Sequence, residues 1–147
     1  MSSGTEAHKP RIRVVAAAMF DAEGRVLIAE RPAGKHMAGR WEFPGGKIGE
    51  AEPEERALVR ELREELGVEV LESRPFMRLS HEYEDRHVEL SMWLVERFTG
   101  VPRGLDGQRL KWVLPRQLDD EDILEADRPF VEALQRLDTQ RFETQDR

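Results

Sequence analysis

Cysteine is missing from the 147-residue sequence, which excludes disulfide staples, thiolate metal sites and cysteine nucleophiles. No apolar run approaches the roughly 20 residues that a membrane-spanning helix needs. Nothing resembles a signal peptide, because no apolar run follows a basic start, so the cytoplasm is the expected location. An excess of positive charge is also missing. The formal net charge is −7, which argues against a general nucleic-acid-binding surface, since phosphate backbones call for clustered Lys and Arg. An acidic site still binds a small polyphosphate if divalent cations bridge the two. Internal repeats and low-complexity segments are absent as well. The length suits one core, with a domain expected over residues 10–138. Residues 1–9 and 139–147 are polar, lack a sustained apolar period and are expected to be loose tails.

The elements follow from periodicity. Residues 11–20, RIRVVAAAMF, read as a buried strand, DAEG as a turn and 25–31 as a second strand, together suggesting a hairpin. Pro44 and a glycine pair punctuate the chain after WEF. From Pro53 to Leu66 the pattern is helical, with Leu58, Val59, Leu62 and Leu66 on one arc and Gly67 as the stop. Residues 68–80 and 85–98 read as long strands, 99–108 as a loop and 109–114 as a short strand. Residues 127–138 form an amphipathic helix, with Phe130, Val131, Leu134 and Leu137 on one side. This order predicts an α/β fold: a mixed β-sheet sandwiched between α-helices.

Residues 45–68, GGKIGEAEPEERALVRELREELGV, crowd glutamates into one helix and its approach. Glu61, Glu64 and Glu65 stand at i, i+3 and i+4, on the arc beside the apolar one. Like charges so placed weaken a helix by a few tenths of a kcal/mol per pair. Arg60 and Arg63 offset part of that cost, and hard cations such as Mg²⁺ offset more, since they favour carboxylate oxygens. The plainer reading is a solvated helix laced with Glu–Arg pairs. The glycines favour a site, because a Gly-Gly turn lets main chain approach a ligand or metal closely.

The spacing Gly46, five residues, Glu52, seven residues, then Arg60-Glu61-Leu62-Arg63-Glu64-Glu65-Leu66-Gly67-Val68 resembles the complete Nudix box, G-x5-E-x7-R-E-U-x-E-E-x-G-U with U apolar. ERPAGKHMAGRWEFPGGKI, YEDRHVEL, WLVERF and LDGQ resemble the MutT branch of that superfamily, and the likeness covers about residues 12–137. The resemblance implies a Nudix fold and hydrolysis of a nucleoside triphosphate to the monophosphate and pyrophosphate, with Mg²⁺ as cofactor and Mn²⁺ as a substitute. It implies Glu61, Glu64 and Glu65 as metal ligands with the Gly45 carbonyl, Glu52 close by, and Arg60 orienting the glutamates. Glu61 is the favoured general base. Asp106, where the MutT pattern commonly has Glu, is a candidate for metal or base.

By the same resemblance Arg31, His36, Phe43, Arg86 and Asp127 belong to the nucleobase end. Each has a plainer reading: Phe43 as core, His36 and His87 as structural or solvent-facing, Arg86 as a surface pair with Asp85. Trp41, Trp93 and Trp112 read as packing residues. Asp127 departs from the Asn of the bacterial MutT pattern. An Asn amide both donates and accepts, whereas an ionised Asp only accepts. A protonated Asp restores the pair for 8-oxoguanine; an ionised one suits an exocyclic amine such as cytosine's.

Three functions are therefore weighed. The first is a MutT-like pyrophosphohydrolase that clears 8-oxo-dGTP from the nucleotide pool, a DNA-repair-related role. The second prefers cytidine or modified pyrimidine nucleotides. The third is a sensor that binds a nucleotide without cleaving it; the intact carboxylate set and the lack of a DNA-binding segment argue against it. The expected partner is a small nucleotide, with no nucleic acid and no membrane, and the expected state a monomer or weak dimer.

Overall fold

In the computed structural model, which describes residues 9–145, alternate residues of the first strand serve opposite layers of the molecule. Strand β1 (Arg11–Met19) sends Val15, Ala17 and Met19 into one buried cluster and Ala16 and Ala18 into another. Strand β2 (Val26–Glu30) divides likewise, Leu27 to the first and Val26 and Ile28 to the second. Both strands are buried on two faces, which is why they read as unbroken apolar runs.

The remaining elements are β3 (Trp41–Glu42), β4 (Gly45–Lys47), α1 (Glu54–Leu66), β5 (Glu69–Glu82), β6 (His87–Thr99), β7 (Leu110–Val113) and α2 (Arg128–Gln145). Short 3₁₀ turns at Pro115–Asp120 and Glu125–Asp127 lead into α2. The mixed sheet runs β4-β1-β6-β5, with β1 parallel to β6 and the other neighbours antiparallel. A smaller antiparallel sheet runs β3-β2-β7.

The expected β1–β2 hairpin is corrected. The turn forms, with Asp21 accepting from the N–H groups of Glu23 and Arg25, but the strands enter different sheets and share a single bridge, Phe20–Val26. Strand β1 has no edge to offer, because β6 occupies one side and β4 the other, and the Ala17 N–H continues the β4 side to the Pro44 carbonyl.

Helix α1 begins after Pro53, whose carbonyl accepts from Ala57, and ends at Gly67, which takes φ 72° and donates to the Arg63 carbonyl. Ala57, Leu58, Leu62 and Leu66 are its buried residues. Val59, expected on the same arc, is only half-buried and lines a cleft of about 890 Å³ between α1 and the start of β5. At 100° per residue Ala57 takes the core position and Val59 rotates out of it.

Helix α2 packs Phe130, Val131 and Leu134 into the second cluster, as its periodicity indicates. It runs to Gln145, well past the expected end at Asp138, so most of the stretch expected to be a loose tail continues the helix. Of the expected N-terminal tail, residues 1–8 lie outside the described residues, while Lys9 bonds Glu82 at 2.8 Å. Strand β5 forms one edge of the mixed sheet, and its pairing with β6 slips register at three places around Val70–Ser73 and Pro75–Met77. No helix among the described residues is long and apolar enough to cross a membrane.

Candidate active site

The short segment from β3 to β4 joins two clusters of charge. At its far end the main chain meets α1. Gly45 and Gly46 pair with Ala16 and Val15 of β1, and there is no space beside them. A Cβ on Gly46 would lie 2.1 Å from Glu61 Oε2, so only glycine lets the strand and that carboxylate approach so closely. The Gly45 N–H donates to Glu65 Oε2 at 3.3 Å.

Arg60 organises the acids on this side. It donates to both Glu52 oxygens at 2.9 Å, to Glu61 at 2.9 Å, to Glu64 at 3.2 Å and to the Lys47 carbonyl at 3.0 Å. Glu52 also accepts from the Gly49 N–H at 2.8 Å. The Arg60 bonds and that N–H hold the Glu52 carboxyl down at about 2. Glu65 behaves in the opposite way. Burial pushes it up to about 8, the charges of Glu42, Glu61 and Asp106 add to the push, and the Gly45 N–H opposes it.

The structure thus brings Gly45, Arg60, Glu61, Glu64, Glu65 and the loop of Asp106 to one place. Among the described residues no three His, Asp or Glu side chains already stand as a metal-ligand set. The reason is visible in the contacts: the Arg60 guanidinium occupies Glu61 and Glu64, and Glu65 faces a main-chain N–H. The donors nevertheless suit a hard divalent cation. They are all oxygens, glycine keeps the main chain beside them, and the raised Glu65 carboxyl marks a field that a cation would relieve.

The other cluster lies at the β3 end. Arg31 donates to Glu42 at 2.8 Å and to the His36 carbonyl at 2.7 Å, tying the 31–40 loop to β3. His36 takes part through its main chain, and the residue is exposed. Phe43 is buried edge-on to Phe130, with centroids 6.5 Å apart, so packing alone accounts for its place. Its N–H donates to Asp127 Oδ2 at a long 3.4 Å. Burial, reinforced by the charge of Glu42, pushes the Asp127 carboxyl up to about 7, with the Phe43 N–H and Arg31 opposing.

Arg86 has contacts of its own. It sits on the β5–β6 turn, paired with Asp85 at 3.0 Å and stacked 4.3 Å over the Tyr83 ring. Sequence reasoning misses Glu42. Burial raises its carboxyl, and its charge acts on both Asp127 and Glu65, so it links the two clusters. The available signal is an acid between two aromatics, Trp41 and Phe43, in a strand-like alternation.

The chain is similar to known proteins over most of its length. A family model described as NUDIX domain matches residues 15–133. An Escherichia coli K12 protein named 8-oxo-dGTP diphosphatase is 38% identical over 127 residues, covering 86% of this chain and 98% of its own. A second protein from that strain, named CTP pyrophosphohydrolase, is 38% identical over 123 residues, covering 84% and 91%. Among solved structures, the solution structure of the E. coli ORF135 protein superposes with a TM-score of 0.80 at 37% identity, covering 89% of this chain and 93% of that one. A MutT structure, from a study of Aliivibrio salmonicida and Vibrio cholerae, gives 0.75 at 36% identity, covering 84% and 96%.

Proposed function

The chain belongs to the NUDIX domain family as a hydrolase of the MutT type, and on that premise we propose that it is a Mg²⁺-dependent nucleoside triphosphate pyrophosphohydrolase cutting 8-oxo-dGTP to 8-oxo-dGMP and pyrophosphate. The observation that carries the reading is Arg60 gathering Glu52, Glu61 and Glu64 beside the Gly46 main chain. Glu61, Glu64, Glu65, Asp106 and the Gly45 carbonyl would hold the cation. Mg²⁺, or Mn²⁺ in its place, would supply the positive charge that offsets the phosphates. Glu61 takes the proton of the attacking water, Arg60 keeps the glutamates oriented, and Glu52 anchors Arg60. Arg31, Phe43, Asp127, His36 and Arg86 serve the nucleobase end. One domain carries the activity in the cytoplasm, as a monomer or weak dimer, without nucleic acid or membrane.

Asp127 supports a second reading, hydrolysis of cytidine nucleotides, because its ionised form would accept from an exocyclic amine. The likeness to a protein named CTP pyrophosphohydrolase points the same way. Pyrophosphate release with and without Mg²⁺, over 8-oxo-dGTP, dGTP, CTP, dCTP and 5-methyl-dCTP, tests both readings. The ranking of kcat/KM separates them, and binding without release from any substrate would leave the sensor.

A further inference from the structure

The loop between β6 and β7 closes the C-terminal end of α1. The last carbonyls of a helix have no partner within it. Here the Arg103 N–H donates to the Leu66 carbonyl at 3.0 Å and the Leu105 N–H to the Glu65 carbonyl at 3.1 Å. Gln108 completes the closure. It is one of three polar or charged residues buried among the described residues, with Ser91 and Asp127. Its Oε1 accepts from the Asp106 N–H at 2.9 Å, and its Nε2 donates to the Glu65 carbonyl at 3.4 Å. One amide therefore spans the main chains of two residues whose carboxylates interact.

The span is tight. A Cβ on Gly104 would lie 1.9 Å from the Gln108 carbonyl oxygen, so the loop folds onto itself only with glycine there. The Gly107 N–H closes the turn on the Gly104 carbonyl at 2.9 Å. Asp106 itself is exposed, and its side chain is one methylene shorter than a glutamate's. A short carboxylate has little reach of its own, so its main chain has to be placed for it.

We propose that Gln108 is a positioning residue, which fixes the Asp106 main chain against the Glu65 turn of α1 so that both carboxylates address one divalent cation. The inference rests on the reading of Asp106 and Glu65 as metal ligands. The push that Asp106 exerts on the Glu65 carboxyl agrees with their proximity. Neither oxygen nor nitrogen of the Gln108 amide touches the cation in this assignment. It acts on the cation site through the hydrogen bond to Asp106, and the longer bond to Glu65 holds the amide in place.

The test is Mn²⁺ binding to the whole chain without nucleotide, read from the electron paramagnetic resonance signal of free Mn²⁺. Asp106→Ala should weaken binding by about tenfold or more, as loss of a ligand, and Gln108→Leu by a comparable factor, as loss of the group that orients it. The double variant should bind no worse than Asp106→Ala alone, because Gln108 acts through Asp106. Gln108→Glu keeps the acceptor for the Asp106 N–H but replaces the donor to the Glu65 carbonyl by an acceptor, so its affinity should fall between those of the parent and Gln108→Leu. Losses that multiply in the double variant would overturn the inference. So would a folded Gln108→Leu with full affinity, or a Gln108→Glu as weak as Gln108→Leu. An unchanged affinity in Asp106→Ala would instead sink the ligand reading of Asp106, and the inference with it. If Gln108→Leu does not fold, Gln108→Glu together with the exchange rate of the Asp106 amide decides. Protection of that amide in the parent and in Gln108→Glu is expected, and fast exchange in the parent would overturn the proposal.

Discussion

Arg60 meets Glu52 with two parallel hydrogen bonds, Nε to Oε2 and Nη2 to Oε1, each 2.9 Å. The remaining nitrogen, Nη1, reaches Glu61 and Glu64. Glu52 thus fixes the plane of the guanidinium, and the guanidinium fixes the carboxylates.

Lysine cannot reproduce that fork. Arg60→Lys is expected to lower kcat by about tenfold or more, since the carboxylates lose their shared orientation. Arg60→Ala leaves them uncompensated, so added Mg²⁺ should raise Tm further in that variant than in the parent. Steady-state kinetics and melting with and without Mg²⁺ check both. An equal Mg²⁺ effect in the two proteins would remove Arg60 from the site.

Gly46→Ala should separate activity from stability. The new methyl group would lie 2.1 Å from Glu61 Oε2, so the flexible carboxylate has to move. A displacement near 1 Å costs on the order of a hundredfold in rate. Because a side-chain end gives way, the loss of stability should stay near or below about 1 kcal/mol. Urea unfolding alongside kinetics distinguishes this from a global defect.

Glu64→Gln should lower turnover by at least about a hundredfold while the circular dichroism and Tm stay close to those of the parent. Glu64 is exposed and its contact is the 3.2 Å bond to Arg60, so little in the fold depends on its charge. Near-normal turnover at limiting Mg²⁺ would contradict its assignment as a ligand.

Asp127→Asn tests the nucleobase end. The folded protein holds a proton on Asp127 up to about 7, whereas the unfolded chain releases it near 3.8. Across that window the native state binds the extra proton, so rising pH favours unfolding. Each tenfold difference in proton affinity between the two states is worth about 1.4 kcal/mol, so the loss is on the order of a few kcal/mol. Asn removes this dependence, so the variant should melt higher than the parent at pH 8 and lose less stability between pH 5 and pH 8. Activity on 8-oxo-dGTP should persist in the variant and decline less at high pH, because Asn keeps a donor. If the ionised form reads an amine, activity on cytidine nucleotides should weaken instead. Identical substrate rankings and pH profiles in the two proteins would show that Asp127 does not touch the base.

The acidic helix is legible in the sequence because its logic is local. Glu61, Glu64 and Glu65 share an arc by spacing alone, and Pro53 and Gly67 bound it. Relations between distant segments are less legible. An apolar run such as VVAAAM shows burial on both faces but not which strands flank it, so β1 and β2 read as a hairpin. Strands β3 and β4, two and three residues long, are too short to carry a period. Glu42 escapes notice because its weight comes from burial and from Arg31, brought next to it by the fold of the intervening loop. Gln108 is visible only as part of LDGQ, since the carbonyl it bonds belongs to Glu65, far back in the chain.

Strand β5 has a consequence for the protein at high concentration. It is one of the two edge strands of the mixed sheet, a place where a second molecule would add a strand of its own. Three register slips break the straight row of groups such a strand needs, and Pro75 has no N–H to offer. Arg74 and Arg78 add charge along the same strand. The longest strand among the described residues is therefore a poor template for fibrils, and a concentrated stock should age without gaining thioflavin fluorescence. Replacing Pro75 with a β-branched residue would make that edge the first place to look for aggregation.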